Sequence, residues 1–364
     1  MTPMSPMLER ARHLATELPT YRVAHGTDRR LAPQVTAALR EHGFHDCLAP
    51  RELGGAELAP ADHIAVLEAL ALGDAATAWV VMTASLSSVL AAYLPRETAQ
   101  VLWAGRPFLA GVFAPTGKLA DGRLTGKWSY ASGSRHADWF VVGALTDRGG
   151  KPTHVICVVP AREVEIIDNW DTLGLHGTGS HDISIDTAVA ASHVTAVFGH
   201  TPWTDAPLYR VPLFGLLATG IAAVGLGIAR GAIDHAGGLL ARARGEVPSA
   251  ALAGHALQRG RLDAARAYLI ATATTTFDKA RTGAIDGATR GELRLAASFV
   301  AHECAAVVRA AFHSAGGAGI RDGHLLQSAL RDIETLLTHR MVGDRVHAAA
   351  VRAMLGIGAP APDL

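Results

Sequence analysis

The chain has 364 residues, enough for a large core divided among two or three packed subdomains. Its 33 basic and 33 acidic residues cancel, and no long block of one sign stands out, so the positive field that a phosphate backbone demands is missing and nucleic acid is not expected as a partner. Charged residues make up 18% against 49% hydrophobic, which points to a surface partly covered by other subunits.

The first residues carry Glu9, Arg10 and Arg12 without an apolar run, so no secretory signal is expected and the cytoplasm is the expected compartment. From residue 8 to about 103, apolar residues recur at three- and four-residue spacing between turn signals at Pro33, Pro50, Gly54-Gly55 and Pro60. This predicts helices, with two consecutive buried ones over 61–93. From 108 to about 198 the texture changes to short runs rich in Val, Ile, Thr and aromatics, predicting strands over 108–113, 123–130, 139–145, 154–159 and 182–185.

After Pro212 the helical period returns and runs to about 355, interrupted near 245–249, 283–291 and 316–323, a spacing that four helices satisfy. The uncharged stretch 213–229 is just short of a membrane span, and its Gly215, Gly220, Gly225 and Gly227 suit close packing inside a bundle, so no membrane is expected. The fold class read here is mainly α with a central β-domain: a helical domain over 1–107, a middle β-domain over 108–205 and a C-terminal four-helix bundle over 206–364.

Cys47, Cys157 and Cys304 are odd in number and far apart, so neither disulfides nor a zinc site is indicated. His42, His45 and Cys47 lack metal-binding spacing, and no metal is expected. Gly225-Leu226-Gly227 and Gly317-Ala318-Gly319 do not complete a dinucleotide fingerprint after a strand.

Two segments of the β-domain carry chemistry. Residues 126–139 (GKWSYASGSRHADW) put small hydroxyl residues and a glycine at the end of an aromatic-flanked strand, where backbone N–H groups and hydroxyls can approach a planar ring. Residues 170–182 (WDTLGLHGTGSHD) form a glycine-rich turn leading into another strand. Read alone, each is ordinary turn chemistry. In this order and spacing, with Arg51-Glu52-Leu53-Gly54-Gly55, residues 73–79 (GDAATAW), residues 315–319 (AGGAG) and Arg331-Asp332, the chain resembles the acyl-CoA dehydrogenase superfamily, and within it the flavin-dependent monooxygenases.

The resemblance implies a homotetramer holding FMN or FAD between the β-domain and the bundle. Tyr130, Ser132, Gly133 and Ser134 would face the flavin ring, with Thr178 and Ser180 nearby. Gly316, Gly317 and Arg242 or Arg244 would lie near its phosphates.

Family dehydrogenases remove a substrate proton with a glutamate near the flavin. Here the region after Arg331-Asp332 offers His339 and Arg340 instead, and no acid occurs from 213 to 230. The oxygenase branch resembles Arg-Asp, six residues, then histidine, and His339 fits it.

The expected activity is therefore a monooxygenase on a small organic substrate, using reduced flavin from a separate reductase to activate O₂ as a C4a-(hydro)peroxide. His339 would accept a substrate proton or donate a hydrogen bond, and Ser132 and Ser134 would donate to flavin or peroxide oxygen. One departure is Ser87, where relatives of this branch often carry a second histidine. A dehydrogenase with a non-standard base and a flavin-free binding or assembly protein are the alternatives.

Overall fold

Residues 5–196, 201–243, 245–283 and 285–358 are described by a computed structural model of the chain. The first helices are α1 (Pro6–Glu17), α2 (Arg22–Asp28), α3 (Pro33–Glu41), α4 (Pro60–Gly73), α5 (Ala75–Ser88) and α6 (Arg96–Trp103). Proline opens α1, α3 and α4, where its fixed φ suits the first turn and its missing N–H would be unpaired anyway. α4 and α5 are the two buried helices expected over 61–93. Asp74 separates them, and its carboxylate accepts both the N–H and the hydroxyl of Thr77, so the chain re-enters a helix at once.

The strands β1 (Leu109–Ala120), β2 (Arg123–Ala131), β3 (Trp139–Asp147), β4 (Pro152–Pro160), β5 (Val164–Ile167), β6 (His181–Ala188) and β7 (Val194–Thr195) form one sheet in the order β5-β6-β2-β1-β3-β4-β7. All neighbours are antiparallel except β1 with β3. The five predicted runs are β1 to β4 and β6. The sequence reading missed β5 and β7, two short edge strands with little period to detect.

At its centre the sheet is split. β1 and β2 pair only near their hairpin, from Lys118↔Thr125 to Ala120↔Arg123. Beyond it β1 shifts register between Val112 and Gly117, and β2 between Trp128 and Ala131. Trp128 fills the space behind the split, and its ring lies so close that a Cβ on Gly117 would stand 2.1 Å from it.

The C-terminal bundle consists of α7 (Leu213–Ala241), α8 (Ser249–Thr282), α9 (Gly287–Ser314) and α10 (Leu325–Leu337), and a further short helix, α11 (Arg345–Leu355), packs on α9. The sequence predicts a helical period that runs unbroken from 323 to about 355. Instead it is interrupted over 338–344, and His339 sits in that break.

The apolar stretch at 213–229 is the first part of a 29-residue helix whose most apolar window is 89% buried inside the protein. By length and composition Ala75–Ala92, Leu213–Ala241 and Gly287–Ser314 could each cross a membrane. In the fold α7 is instead wrapped by α4, α5, α9 and α10. Its glycines explain the close fit: a Cβ on Gly227 would lie 2.4 Å from Ala71 Cβ and from the Glu68 carbonyl of α4. One apolar core thus joins the N-terminal helices to the bundle, and a second lies within the sheet around Trp128 and Phe140.

Candidate active site

The end of β2, the glycine-rich turn before β6, α5 and the break after α10 converge. Trp79 of α5 stands at the centre, with its ring edge-to-face to His339 at 5.8 Å between centroids and its Nε1–H donated to Ser132 Oγ at 3.1 Å. Ser132, Ser134, Thr178 and Ser180 are all buried.

Donation by Thr178 Oγ1 to the Leu175 carbonyl sets one order of protons along the hydroxyl cluster. Thr178 Oγ1 donates to the Leu175 carbonyl at 2.8 Å. Its proton spent, it must accept from Ser180 Oγ at 2.7 Å, and Ser180 must then accept from Ser132 Oγ at 2.7 Å. Ser132 therefore donates inward and accepts from Trp79, which leaves its second lone pair as the capacity it can offer a ligand. Ser134 Oγ donates to the Gly179 carbonyl at 3.0 Å. The expectation that Ser132 and Ser134 donate to flavin or oxygen is corrected by this geometry: buried hydroxyls satisfy themselves on the nearest acceptors, and both protons are already committed.

His339 follows α10, with its N–H bonded to the Leu336 carbonyl at 3.1 Å. Its Nδ1 accepts the Met341 N–H at 3.2 Å, which assigns the ring proton to Nε2. Burial, reinforced by the positive Arg340 and Arg294, lowers its pKa to about 4. The ring is thus a neutral hydrogen-bond donor through Nε2. Of the two roles expected for it, donating fits and accepting a substrate proton does not, because the basic nitrogen is occupied.

The glycine-rich turn is strapped to α10. A Cβ on Gly174 would stand 2.4 Å from the Arg331 carbonyl, so backbone meets backbone there. Asp332 Oδ1 accepts the Leu175 N–H at 2.7 Å, holding that leucine at φ 55°, a left-handed conformation costly for a branched side chain. The Leu175 carbonyl in turn accepts from Thr178 N, Thr178 Oγ1 and Trp170 Nε1. Burial and the neighbouring Asp74, opposed by the Leu175 amide, push Asp332 up to about 6. The Arg331 backbone and the Asp332 carboxylate thus anchor the β-domain turn.

Tyr130 has φ 70° and is 71% exposed, edge-to-face with Trp170. It borders the split seam, where Ala114, Pro115 and Thr116 are also exposed and Thr116 Oγ1 donates to the Lys127 carbonyl at 3.0 Å. Residues 113–116 and Trp79 were not singled out as site residues from sequence. Pro115 inside a strand pattern was the available signal, since proline there marks an edge or bulge, and bulges often adjoin active sites. Gly133, at φ 74°, donates its N–H to the Thr178 carbonyl at 2.8 Å, locking the two segments together.

Comparison with known proteins identifies the architecture. Residues 7–98 match the acyl-CoA dehydrogenase N-terminal domain and residues 219–343 the acyl-CoA dehydrogenase C-terminal domain. The chain belongs to the acyl-CoA dehydrogenase superfamily, in its flavin-dependent monooxygenase branch. It is 29% identical over 343 residues to an indole-3-acetate monooxygenase of Pseudomonas putida, covering 90% of this chain and 88% of that one. It is 33% identical over 235 residues to the oxygenase component of an FADH(2)-dependent resorcinol hydroxylase of Rhizobium sp., covering 59% and 58%. A 3-HSA hydroxylase structure from Rhodococcus sp. RHA1 shares the fold with a TM-score of 0.91 at 22% identity, over 99% of both chains.

Within this superfamily a dehydrogenase needs a carboxylate near the flavin, and the acids around the break after α10 are turned to the surface: Asp344 is 88% exposed beside His302. Glu334, the acid between Asp332 and His339, points outward, its carboxylate bound by Arg309 Nε and Nη2 at 2.6 and 2.8 Å. The residues expected near the flavin phosphates are not drawn to the Ser132 cluster by any hydrogen bond among the described residues. Gly316 and Gly317 lie in an open turn after α9, and Arg242 at the end of α7 packs on Gly238. Arg244 lies outside the described residues.

Ser87 is fully buried and donates to the Thr83 carbonyl at 2.8 Å, with its Oγ only 2.2 Å from where a Cβ on Gly111 of β1 would stand. An imidazole has no room there. Ser87→His is therefore expected to cost ~1–3 kcal/mol by overpacking, measured by denaturant unfolding, without adding a base. Wild-type stability in that variant would contradict the tight contact between α5 and β1.

Proposed function

We propose that this chain is the oxygenase component of a two-component flavin-dependent monooxygenase, taking reduced FMN or FAD from a separate reductase and oxygenating a small organic substrate. The observation that carries the reading is the Ser132 hydroxyl, fixed as an acceptor at the strand end next to Trp79 and His339. A reduced flavin presents an N–H at ring position N5, whereas the oxidised ring presents a lone pair there. The residues present fit the reduced ring: an exposed split seam, a hydroxyl that accepts, and a neutral imidazole that donates.

When bound, reduced flavin supplies the two electrons with which dioxygen yields one inserted oxygen atom and water. The chain's own groups hold the geometry. Ser132 would orient the ring, and Trp79 would fix the distance between Ser132 and His339. His339 Nε2–H would hold an oxygen atom in place, while the buried hydroxyl chain keeps water out of the strand end.

The separate reductase is supported by the oxygenase-component name of the Rhizobium relative. A homotetramer in the cytoplasm is part of the same proposal. It is favoured by the low charge content and by exposed Leu252, Leu257 and Phe299 on α8 and α9.

The test is an anaerobic titration with dithionite-reduced FMN and FAD, followed by rapid mixing with dioxygen. Tight binding of one reduced flavin, then a long-lived absorbing species before reoxidation, is expected. Flavin reduced by substrate under anaerobic conditions would make the chain a dehydrogenase. No affinity in either redox state would make it a binding or assembly protein.

A further inference from the structure

The hydroxyl chain has a direction because the end remote from Ser132 is fixed at the Leu175 carbonyl. Thr178 can send its proton to Leu175 only while that carbonyl faces it. The carbonyl is aimed by the left-handed conformation of Leu175 and by Thr178 N–H and Trp170 Nε1–H, which donate to it; Asp332 Oδ1, 2.7 Å from the Leu175 N–H, holds the preceding peptide and with it that conformation. Leu175 adopts φ 55°, and its peptide has a ready route to a commoner conformation once that hold is lost. Gly174 against the Arg331 backbone adds a steric hold on the same turn.

If the Leu175 carbonyl turned away, Thr178 would send its proton to Ser180, Ser180 to Ser132, and Ser132 would point its own proton outward. Both hydroxyl–hydroxyl bonds survive this reversal, but it also strips Thr178 N–H and Trp170 Nε1–H of their acceptor, so the native turn holds one order and its disruption changes the sign of what Ser132 presents. We propose that Asp332 and Thr178 are positioning residues that set the direction of this hydroxyl chain, and thereby make the strand end select a ring N–H over a ring lone pair.

The inference rests on the flavin reading above and assigns to Asp332, which touches neither ring nor substrate, control over which redox form of the ring is held. A purely structural Asp332 would change stability and leave the redox preference alone.

The experiment measures dissociation constants for oxidised and for dithionite-reduced FMN and FAD, anaerobically, on the full chain and on Thr178→Val, Asp332→Asn and Asp332→Ala, with circular dichroism and thermal unfolding as folding controls. Thr178→Val keeps the side-chain shape and removes only the proton relay, so it holds the proposal open to refutation even where Asp332→Ala fails to fold. The expected result is a reduced-over-oxidised preference that falls about tenfold in Thr178→Val and in folded Asp332→Ala, the scale of one hydrogen bond gained or lost. Asp332→Asn, whose carbonyl still accepts the Leu175 N–H, is expected to keep the wild-type ratio. A ratio unchanged in Thr178→Val while flavin still binds overturns the proposal and spares the flavin reading. Loss of binding to both redox forms in the unmodified chain overturns both.

Discussion

Replacing His339 by alanine is expected to slow substrate oxygenation on the order of 10²-fold, at the lower end of what a positioned acid–base or donor group contributes, with reduced-flavin affinity and thermal unfolding nearly unchanged. The structure sharpens what the loss would mean. Nδ1 is engaged by the Met341 N–H, and burial beside Arg340 and Arg294 lowers the pKa to about 4. The ring is therefore neutral from about pH 5 upward and offers Nε2–H. His339→Gln, which retains an amide donor, should recover part of the lost rate. A proton-accepting histidine would leave glutamine as inactive as alanine.

The pH profile tests the buried environment that keeps the ring neutral. For the donor, the acid limb of turnover should lie well below the ordinary histidine value of about 6.5 and fall only as pH approaches 4. Between those values the unfolded chain binds a proton on this histidine that the native chain does not, so stability also declines with acidification through that window. The activity limb must accordingly be read against an unfolding curve at each pH. An acid limb near 6.5 in fully folded protein would mean that His339 titrates freely and that its burial is less complete than the structure has it.

Much of the architecture was legible because it rests on period. The apolar run over 61–93 could fold only as buried helices, and five of the strands had enough residues to display alternation. The break at 338–344 was invisible for the converse reason. Leu336, Leu337, Met341, Val342 and Val346 keep a helix-like spacing straight through it.

What interrupts the helix there is capture of its carbonyls by α9. Ser298 Oγ and His302 Nε2 bind the Val342 carbonyl at 2.7 and 3.2 Å, and Arg294 binds the Met341 carbonyl at 3.2 Å. Tertiary hydrogen bonds override local propensity, and the result turns His339 out of the helix and onto Trp79. The site divides in the same way. The offset of His339 from Arg331-Asp332 could be read along the chain. Whether Ser132 gives or takes a proton could not, because that depends on a leucine carbonyl in a different loop, held by an aspartate in a different subdomain.

Trp128→Ala is expected to destabilise the protein by ~3–5 kcal/mol, the range for deleting a large buried aromatic. Trp128 is 1% exposed, and its Nε1–H donates to the Gly143 carbonyl at 2.7 Å, so truncation leaves both a void in the smaller core and an unpaired carbonyl. Its ring also holds the unpaired stretches of β1 and β2 apart, so reduced-flavin affinity should fall with it, a coupling that ordinary core residues such as Phe140 should not show.

Gly117 supplies the control, because a Cβ there would stand 2.1 Å from the ring. Gly117→Ala alone should cost ~1–3 kcal/mol. In a Trp128→Phe background, where the smaller ring frees that space, the added methyl should cost measurably less, giving a non-additive double-mutant cycle in denaturant unfolding. Strict additivity would mean that the indole does not fill the split between the strands, and the seam would then lose its claim to be a preformed slot for a planar ring.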